Sequence, residues 1–362
     1  MRELDPDDLI QRATRAARRT STTATVRGLR QLEGGVSSLT YASELLDENC
    51  VRPIVLKVAP PDLAPVRNRD VLRQARVLQQ LDGLAGFPVP GVLFEDGGDP
   101  PGVPPLFAME LLPGDSYEPM LDVSDTPPSP EVAAERMRVA ARALARMQSV
   151  SPQALGVGDE PVSPVTEELG RWQRLFATVD PDIGAGHEKL HARLAERTPE
   201  GIDPRLLHGD YRVANMLFTD SGLEAVIDWE IWSVGDPRSD LAWLLMHVEP
   251  AQVFHEHRSE ADRAAGSQMP SQQELIDVYA AARRELGASE EEVRAATSEL
   301  DWFLGVCHYK TASTIAVIWK RERKRESPDP KLEVAARHLG EVLDAGHRVL
   351  DQRNRRSSSL VE

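Results

Sequence analysis

The sequence predicts an α+β protein of two lobes, a small β-sheet lobe carrying one main helix and a larger helical lobe. Three observations carry that expectation. Residues 24–59 hold three β-prone runs, around Thr25-Val26-Arg27, Leu39-Thr40-Tyr41-Ala42 and Ile54-Val55-Leu56-Lys57-Val58, separated by turn-forming residues. From residue 131 onward, apolar positions recur at helical spacing. At 362 residues the chain exceeds what one hydrophobic core usually supports.

The elements follow in order. Residues 5–19 read as a short helix, with Leu9 and Ile10 followed by Ala13, Ala16 and Ala17. A helix over 66–81 and strands near 88–94 and 106–111 complete a mostly antiparallel sheet with its helix. The first lobe is expected over 1–112, ending before Pro113-Gly114, and the second over 113–352. Residues 122–130, rich in Ser, Pro and Asp, read as a surface loop. A helix over 133–150 places Val139, Ala140, Ala143, Leu144 and Met147 on one face. Further helices are expected over 165–178, 187–197, 239–248, 272–286, 289–320 and 331–352. Two short strands between 206 and 230 turn at Gly222, and 353–362 reads as a disordered tail.

Composition narrows the function. A net charge of −16 argues against nucleic acid, whose binding depends on neutralising phosphates with Lys and Arg. There is no apolar run near the roughly eighteen residues a membrane span needs, so no membrane association is expected. The opening Met1-Arg2-Glu3-Leu4-Asp5-Pro6 lacks the basic and apolar regions of a signal peptide. Cys50 and Cys307 lie too far apart for a metal knuckle and read as reduced thiols of a cytoplasmic protein.

The most informative stretch is Leu207-His208-Gly209-Asp210-Tyr211-Arg212-Val213-Ala214-Asn215, followed by Val226-Ile227-Asp228-Trp229-Glu230. It sets an Asp, an Asn five residues later and a second Asp thirteen beyond that between apolar runs. Phosphoryl transfer needs such a set. One carboxylate receives the proton of an attacking hydroxyl, while an amide oxygen and another carboxylate hold magnesium against nucleotide phosphates. The protein-kinase catalytic loop uses the same Asp-to-Asn interval.

With that loop read, Lys57 at the end of an apolar strand becomes a candidate for the nucleotide phosphates. Glu33-Gly34-Gly35-Val36-Ser37-Ser38 lies between the first two strands. There Gly34, Gly35, Ser37 and Ser38 would let backbone N–H groups approach phosphate oxygens. Met109, Glu110 and Leu112 at the lobe junction are candidates to line an adenine pocket. Asp236 precedes a proline and is held out of helical geometry, and Ser239 or Asp240 is expected to cap the next helix. Asp236 and Asp240, with His208, read as supports of the catalytic loop.

These runs, with Gly235-Asp236-Pro237 and Asp240-Leu241-Ala242-Trp243, resemble the aminoglycoside phosphotransferase and choline kinase-like family. The likeness includes its bacterial branch similar to the kinase-like domain of some acyl-CoA dehydrogenases. The resemblance covers residues 33–249 and is most specific over 207–243. It implies a protein-kinase-like fold and ATP- and Mg²⁺-dependent phosphorylation of a small-molecule hydroxyl, on an aminoglycoside-type antibiotic or another metabolite alcohol. By that resemblance Asp210 is the catalytic base, Asn215 and Asp228 are magnesium ligands, and Lys57 binds phosphates. The family's helix commonly offers the lysine a Glu; here the matching position is Gln74, with Asp70 four residues earlier as a candidate substitute.

Two other readings stand beside it. His187-Glu188-Lys189-Leu190-His191 satisfies the H-E-x-x-H pattern of zinc hydrolases, with His187 and His191 as ligands and Glu188 as base. Leu190 and Leu194 would instead make that helix an ordinary packing element. Gln74 and the incomplete glycine loop also allow a non-catalytic nucleotide-binding protein.

Overall fold

The β-prone runs near the N-terminus pair into one sheet, and the helical periodicity beyond it builds a separate body. The computed structural model describes residues 4–32, 38–48, 50–248 and 258–359. In chain order the strands are β1 (Thr25–Gln31), β2 (Leu39–Asp47), β3 (Cys50–Val58), β4 (Val92–Asp96), β5 (Leu106–Glu110), β6 (Val162–Ser163), β7 (Arg205–Leu207), β8 (Met216–Thr219), β9 (Gly222–Val226) and β10 (Ser233–Gly235). The helices are α1 (Pro6–Ala17), α2 (Val71–Asp82), α3 (Pro130–Met147), α4 (Val165–Phe176), α5 (His187–Glu196), α6 (Arg238–Met246), α7 (Glu260–Ala265), α8 (Gln272–Glu285), α9 (Glu290–Thr297), α10 (Leu300–Glu322), α11 (Pro330–Arg337) and α12 (Leu339–Ser359).

The chain divides into two units. The first comprises Met1–Ser116, Leu155–Val157 and Asn215–Trp232, and the second Tyr117–Ala154, Gly158–Ala214 and Ser233–Glu362. The boundary thus falls a few residues beyond 112. The β8–β9 hairpin joins the first unit, whereas the sequence predicts a first lobe lying wholly before residue 113. Two contacts explain that. Asp115 and Phe218 exchange backbone hydrogen bonds of 3.0 Å, and Val226 N–H donates to the Pro88 carbonyl at 2.9 Å. Gly114 permits the first of these, because at φ +122° a Cβ would lie 2.9 Å from the Phe218 carbonyl oxygen.

In the first unit the sheet order is β1-β2-β3-β5-β4, with every pair antiparallel. Helix α1 starts at Pro6 behind an Asp5 cap and packs Leu9, Ala13 and Ala16 against Ile54, Leu56, Val58, Leu106 and Ala108. Strand alternation assigns Ile54, Leu56 and Val58 to that core, and leaves Val55 and Lys57 on the other face. Helix α2 begins at Val71 rather than 66, because Arg67 adopts φ +55° and Asp70 caps the helix, accepting from Leu72 and Arg73 N–H. Its buried Val71, Gln74, Ala75 and Leu78 follow the helical repeat.

The second unit is built around α10, where every residue from Trp302 to Lys310 is buried, so that stretch is covered on all faces. It packs against α4, α6 and α12. The helix expected over 289–320 is broken, because Ser298 is extended and Glu299 adopts φ +59°. That over 331–352 is divided at His338. Helix α12 continues to Ser359, so 353–359, expected as a loose tail, has helical backbone. Leu190 and Leu194 of α5 are fully buried, close against Gly346 and Gly305. A three-stranded sheet, β6-β10-β7, carries the chain into α6. Among the described residues no helix is long and apolar enough to cross a membrane.

Candidate active site

The first unit brings three predicted residues together. Register in the β8–β9 hairpin sets Met216 opposite Val226, and Ile227 N–H donates to the Asn215 carbonyl at 2.9 Å. Asn215 and Asp228 therefore stand at the same open end of one hairpin. Asp228 adopts φ +63°, ψ +58°, a left-handed conformation that Asp and Asn tolerate better than most residues. Lys57, 9% exposed, donates to Asp228 Oδ1 at 3.3 Å and to Gln74 Oε1 at 3.3 Å.

The segment after Asp228 is fastened to α2. Arg73 stacks its guanidinium 3.9 Å above the Trp232 ring and donates to the Trp232 carbonyl at 2.9 Å. Trp232 returns a bond from its indole N–H to the Arg73 carbonyl at 3.1 Å. Trp229 closes the turn on the Val226 carbonyl at 3.0 Å and meets Phe87 edge-on. Adjacent residues of α2 thus hold Lys57, through Gln74, and the segment that follows Asp228, through Arg73.

Asp70 is not the partner of Lys57. Its Oδ1 is committed to the α2 cap, accepting from Leu72 and Arg73 N–H at 3.1 Å each. Met109 lies on β5 opposite Val55, and the Glu110 carboxylate accepts from Gly91 N–H at 3.1 Å. Leu112 follows β5 and is half-buried. Ser38 is buried, its hydroxyl lacking a hydrogen-bond partner among the described residues. Gly34, Gly35 and Ser37 lie outside the described residues.

The second unit holds Asp210 in a loop braced from below. Asp240 accepts from His208 N–H at 2.6 Å and Gly209 N–H at 3.0 Å, and burial raises its pKa above the ordinary carboxylate value. Asp210 N–H donates in turn to His208 Nδ1 at 3.2 Å. Asp236 and Arg238 form a buried fork at 2.9 and 2.6 Å, and Asp236 Oδ1 also accepts Arg238 N–H at 3.1 Å. Ser239 and Asp240, expected as caps, both lie inside α6; its N-cap is Pro237, which makes no side-chain bond, and Asp236 takes the Arg238 N–H from one residue further back.

Around the Asp210 carboxylate stand residues that sequence reasoning gave no role. Trp243 donates its indole N–H to Oδ1 at 2.7 Å, and Arg212 Nε lies 3.5 Å from Oδ2. Lys310 donates to the Gly209 carbonyl at 2.6 Å with its ammonium 3.8 Å from the Trp243 ring centroid. Glu118 is fully buried with its nearest cation, Arg212, at 3.9 Å; burial pushes its pKa up to about 8. Trp243 stood inside the recognised motif. Lys310 was signalled only by a lone ammonium in an apolar helical run.

The zinc reading fails on contacts. His187 stacks on Phe176 at 4.2 Å between centroids and its Nδ1 bonds the Tyr309 hydroxyl at 2.9 Å. Among the described residues no three His, Cys, Asp or Glu side chains cluster to hold a metal. The helix serves packing through Leu190 and Leu194.

Comparison with known proteins places the chain. The family model described as the phosphotransferase enzyme family matches residues 28–275. Acyl-CoA dehydrogenase family member 10 of Mus musculus is 26% identical over 242 residues, covering 66% of this chain. The chain spans 22–33% of the length of that protein and the other acyl-CoA dehydrogenase relatives it matches. A candidate aminoglycoside phosphotransferase from Ralstonia eutropha superposes with a TM-score of 0.67 at 20% identity, covering 90% of this chain and 92% of its own. A thermostable aminoglycoside phosphotransferase variant, solved with ADP and hygromycin B, gives a TM-score of 0.56 at 15% identity over 89% of this chain and 95% of its own. The fold is kinase-like, an antiparallel N-terminal sheet followed by a larger helical region, and the chain belongs to the phosphotransferase enzyme family.

Proposed function

We propose that the protein transfers the γ-phosphoryl group of ATP, with Mg²⁺, to the hydroxyl of a small molecule. The observation that carries this reading is the open end of the β8–β9 hairpin, where Asn215 and Asp228 stand together and Lys57 meets the Asp228 carboxylate. An amide oxygen and a carboxylate are the hard oxygen donors that magnesium takes, so the residues fit the ion. Bound there, the ion would neutralise charge on the phosphates as the transferring group loosens.

The chain's own residues do the rest. Lys57, with Gln74 to orient it, supplies a fixed cation for nucleotide phosphates. Asp210, braced through His208, Gly209 and Asp240, holds the acceptor hydroxyl and takes its proton. The acceptor is a small-molecule alcohol, in keeping with a relative solved with hygromycin B beside ADP.

Calorimetric titration with ATP tests the nucleotide half. Binding that needs Mg²⁺ and disappears in Asp228→Ala supports it; ATP binding indifferent to magnesium and to that substitution overturns it.

A further inference from the structure

The second unit has a cleft of about 370 Å³ where β7, α8, α9 and the start of α6 meet, a size that suits a small ligand. Ile202, Pro237, Ala295 and Ala296 give it apolar walls, and its polar lining is two arginines and three acids. The charges are sorted by depth. Arg283 of α8 is 4% exposed and Arg205 at the start of β7 is half-buried, while Asp203, Glu291 and Glu292 are exposed.

Both guanidiniums are short of partners. Arg283 makes one hydrogen bond among the described residues, from Nη1 to the Tyr279 hydroxyl at 3.1 Å, and its buried Nε–H makes none. Arg205 donates only to backbone carbonyls, those of Gln148 and Pro204 at 3.0 Å each. Neither arginine has an ion-pair partner among the described residues. A guanidinium carries several N–H donors and cannot lose its proton, so burying one against a single neutral hydroxyl is costly until an anion joins it. Glu292 does not fill that place, because its carboxylate accepts Ser289 N–H at 2.8 Å in the capping box of α9.

The arginines are fixed through Gln148, which is fully buried. Its amide oxygen accepts the Tyr279 hydroxyl at 2.7 Å, its backbone carbonyl takes Arg205 Nε–H, and its amide nitrogen donates to the Pro237 carbonyl at 3.0 Å. One residue thus ties α8, β7 and the start of α6 together, and a cleft built in advance loses little freedom when a ligand enters.

We propose that the cleft binds a small amino-carboxylate, its carboxylate on Arg283 and Arg205 and its ammonium at the rim of Asp203, Glu291 and Glu292. The planar fork of a guanidinium matches a carboxylate. The acidic rim selects against a multiply charged anion such as phosphate and favours a ligand whose far end is cationic. Ile202, Pro237, Ala295 and Ala296 take the carbon chain between the two ends. None of these residues belongs to the set proposed for phosphoryl transfer, and binding here is measured without ATP.

Ligand-observed NMR titrations of the full chain with γ-aminobutyrate, butyrate and inorganic phosphate test the site. γ-Aminobutyrate should bind saturably, and butyrate about threefold more weakly, the scale of an exposed ion pair. Arg283→Met should weaken γ-aminobutyrate about tenfold, the scale of a lost hydrogen bond to a charged group. Ala295→Leu keeps both arginines and fills the cleft from a half-buried position on α9, so it should block binding even if Arg283→Met folds poorly. Asp203→Asn combined with Glu291→Gln should erase the preference for γ-aminobutyrate over butyrate. The proposal is overturned by no saturable binding, or by γ-aminobutyrate binding that Ala295→Leu leaves unchanged. Butyrate or phosphate held by the unaltered protein as tightly as γ-aminobutyrate overturns it equally.

Discussion

Lys57 donates to Gln74 Oε1 at 3.3 Å, so a neutral amide faces the ammonium while Asp70, four residues earlier, caps α2. Gln74→Ala should therefore weaken MgATP binding several-fold and cost about 2 kcal/mol of stability, through a lost hydrogen bond and a buried gap. Asp70→Asn should be nearly silent in both, since Asn caps about as well as Asp. Urea unfolding and calorimetric titration of the two variants decide it. A larger ATP-binding defect in Asp70→Asn would return that carboxylate to the site.

Asp228 combines a charge with a left-handed backbone, and substitutions can separate the two. Asp228→Asn should keep the conformation yet abolish magnesium-dependent ATP binding. Asp228→Ala should lose binding as well and be about 1 kcal/mol less stable than Asp228→Asn, the cost of φ +63° for an ordinary residue. Equal stabilities would show that the turn relaxes.

Asp236 and Arg238 are both nearly inaccessible, and each leaves the other buried and charged if removed. Asp236→Ala should cost about 3–5 kcal/mol, and adding Arg238→Met should recover part of that loss. A double-mutant cycle in urea measures the coupling, and simple additivity would contradict the buried pairing.

Glu118 should make stability fall as pH rises. Burial pushes its folded pKa up to about 8, above the ordinary 4.5, so between those values the unfolded chain is ionised there and the folded chain is not. The contribution is fully present below about 4.5, is lost at about 1.4 kcal/mol per pH unit, and is gone above about 8. Glu118→Gln should remove this slope and gain most over the native protein near pH 8. Parallel pH profiles for the two proteins would contradict a neutral buried carboxyl.

The meeting of Asn215 with Asp228 at one hairpin end was legible because the two lie in one short stretch between apolar runs, and the face of Lys57 because strand alternation gives it. The bracing was not. Trp243 meets a carboxylate 33 residues earlier and Lys310 a carbonyl 101 residues earlier, pairings that no local period encodes. The break between α9 and α10 was hidden because Glu299, a good helix former by propensity, adopts a left-handed conformation there. β6 and β10, with two and three residues, are too short to show alternation. Helix α7 was missed although Ser259 and Asp262 form a capping box that marks its start.

The hairpin that belongs with the N-terminal sheet has a consequence for synthesis. On the ribosome the sheet leaves the exit tunnel early, yet Asp228 follows Lys57 by 171 residues. At about 5–20 residues per second the buried ammonium waits roughly 10–30 seconds for its carboxylate. For that interval Gln74 is its described partner, and the first unit cannot be finished until the segments Tyr117–Ala154 and Gly158–Ala214 of the second have been made.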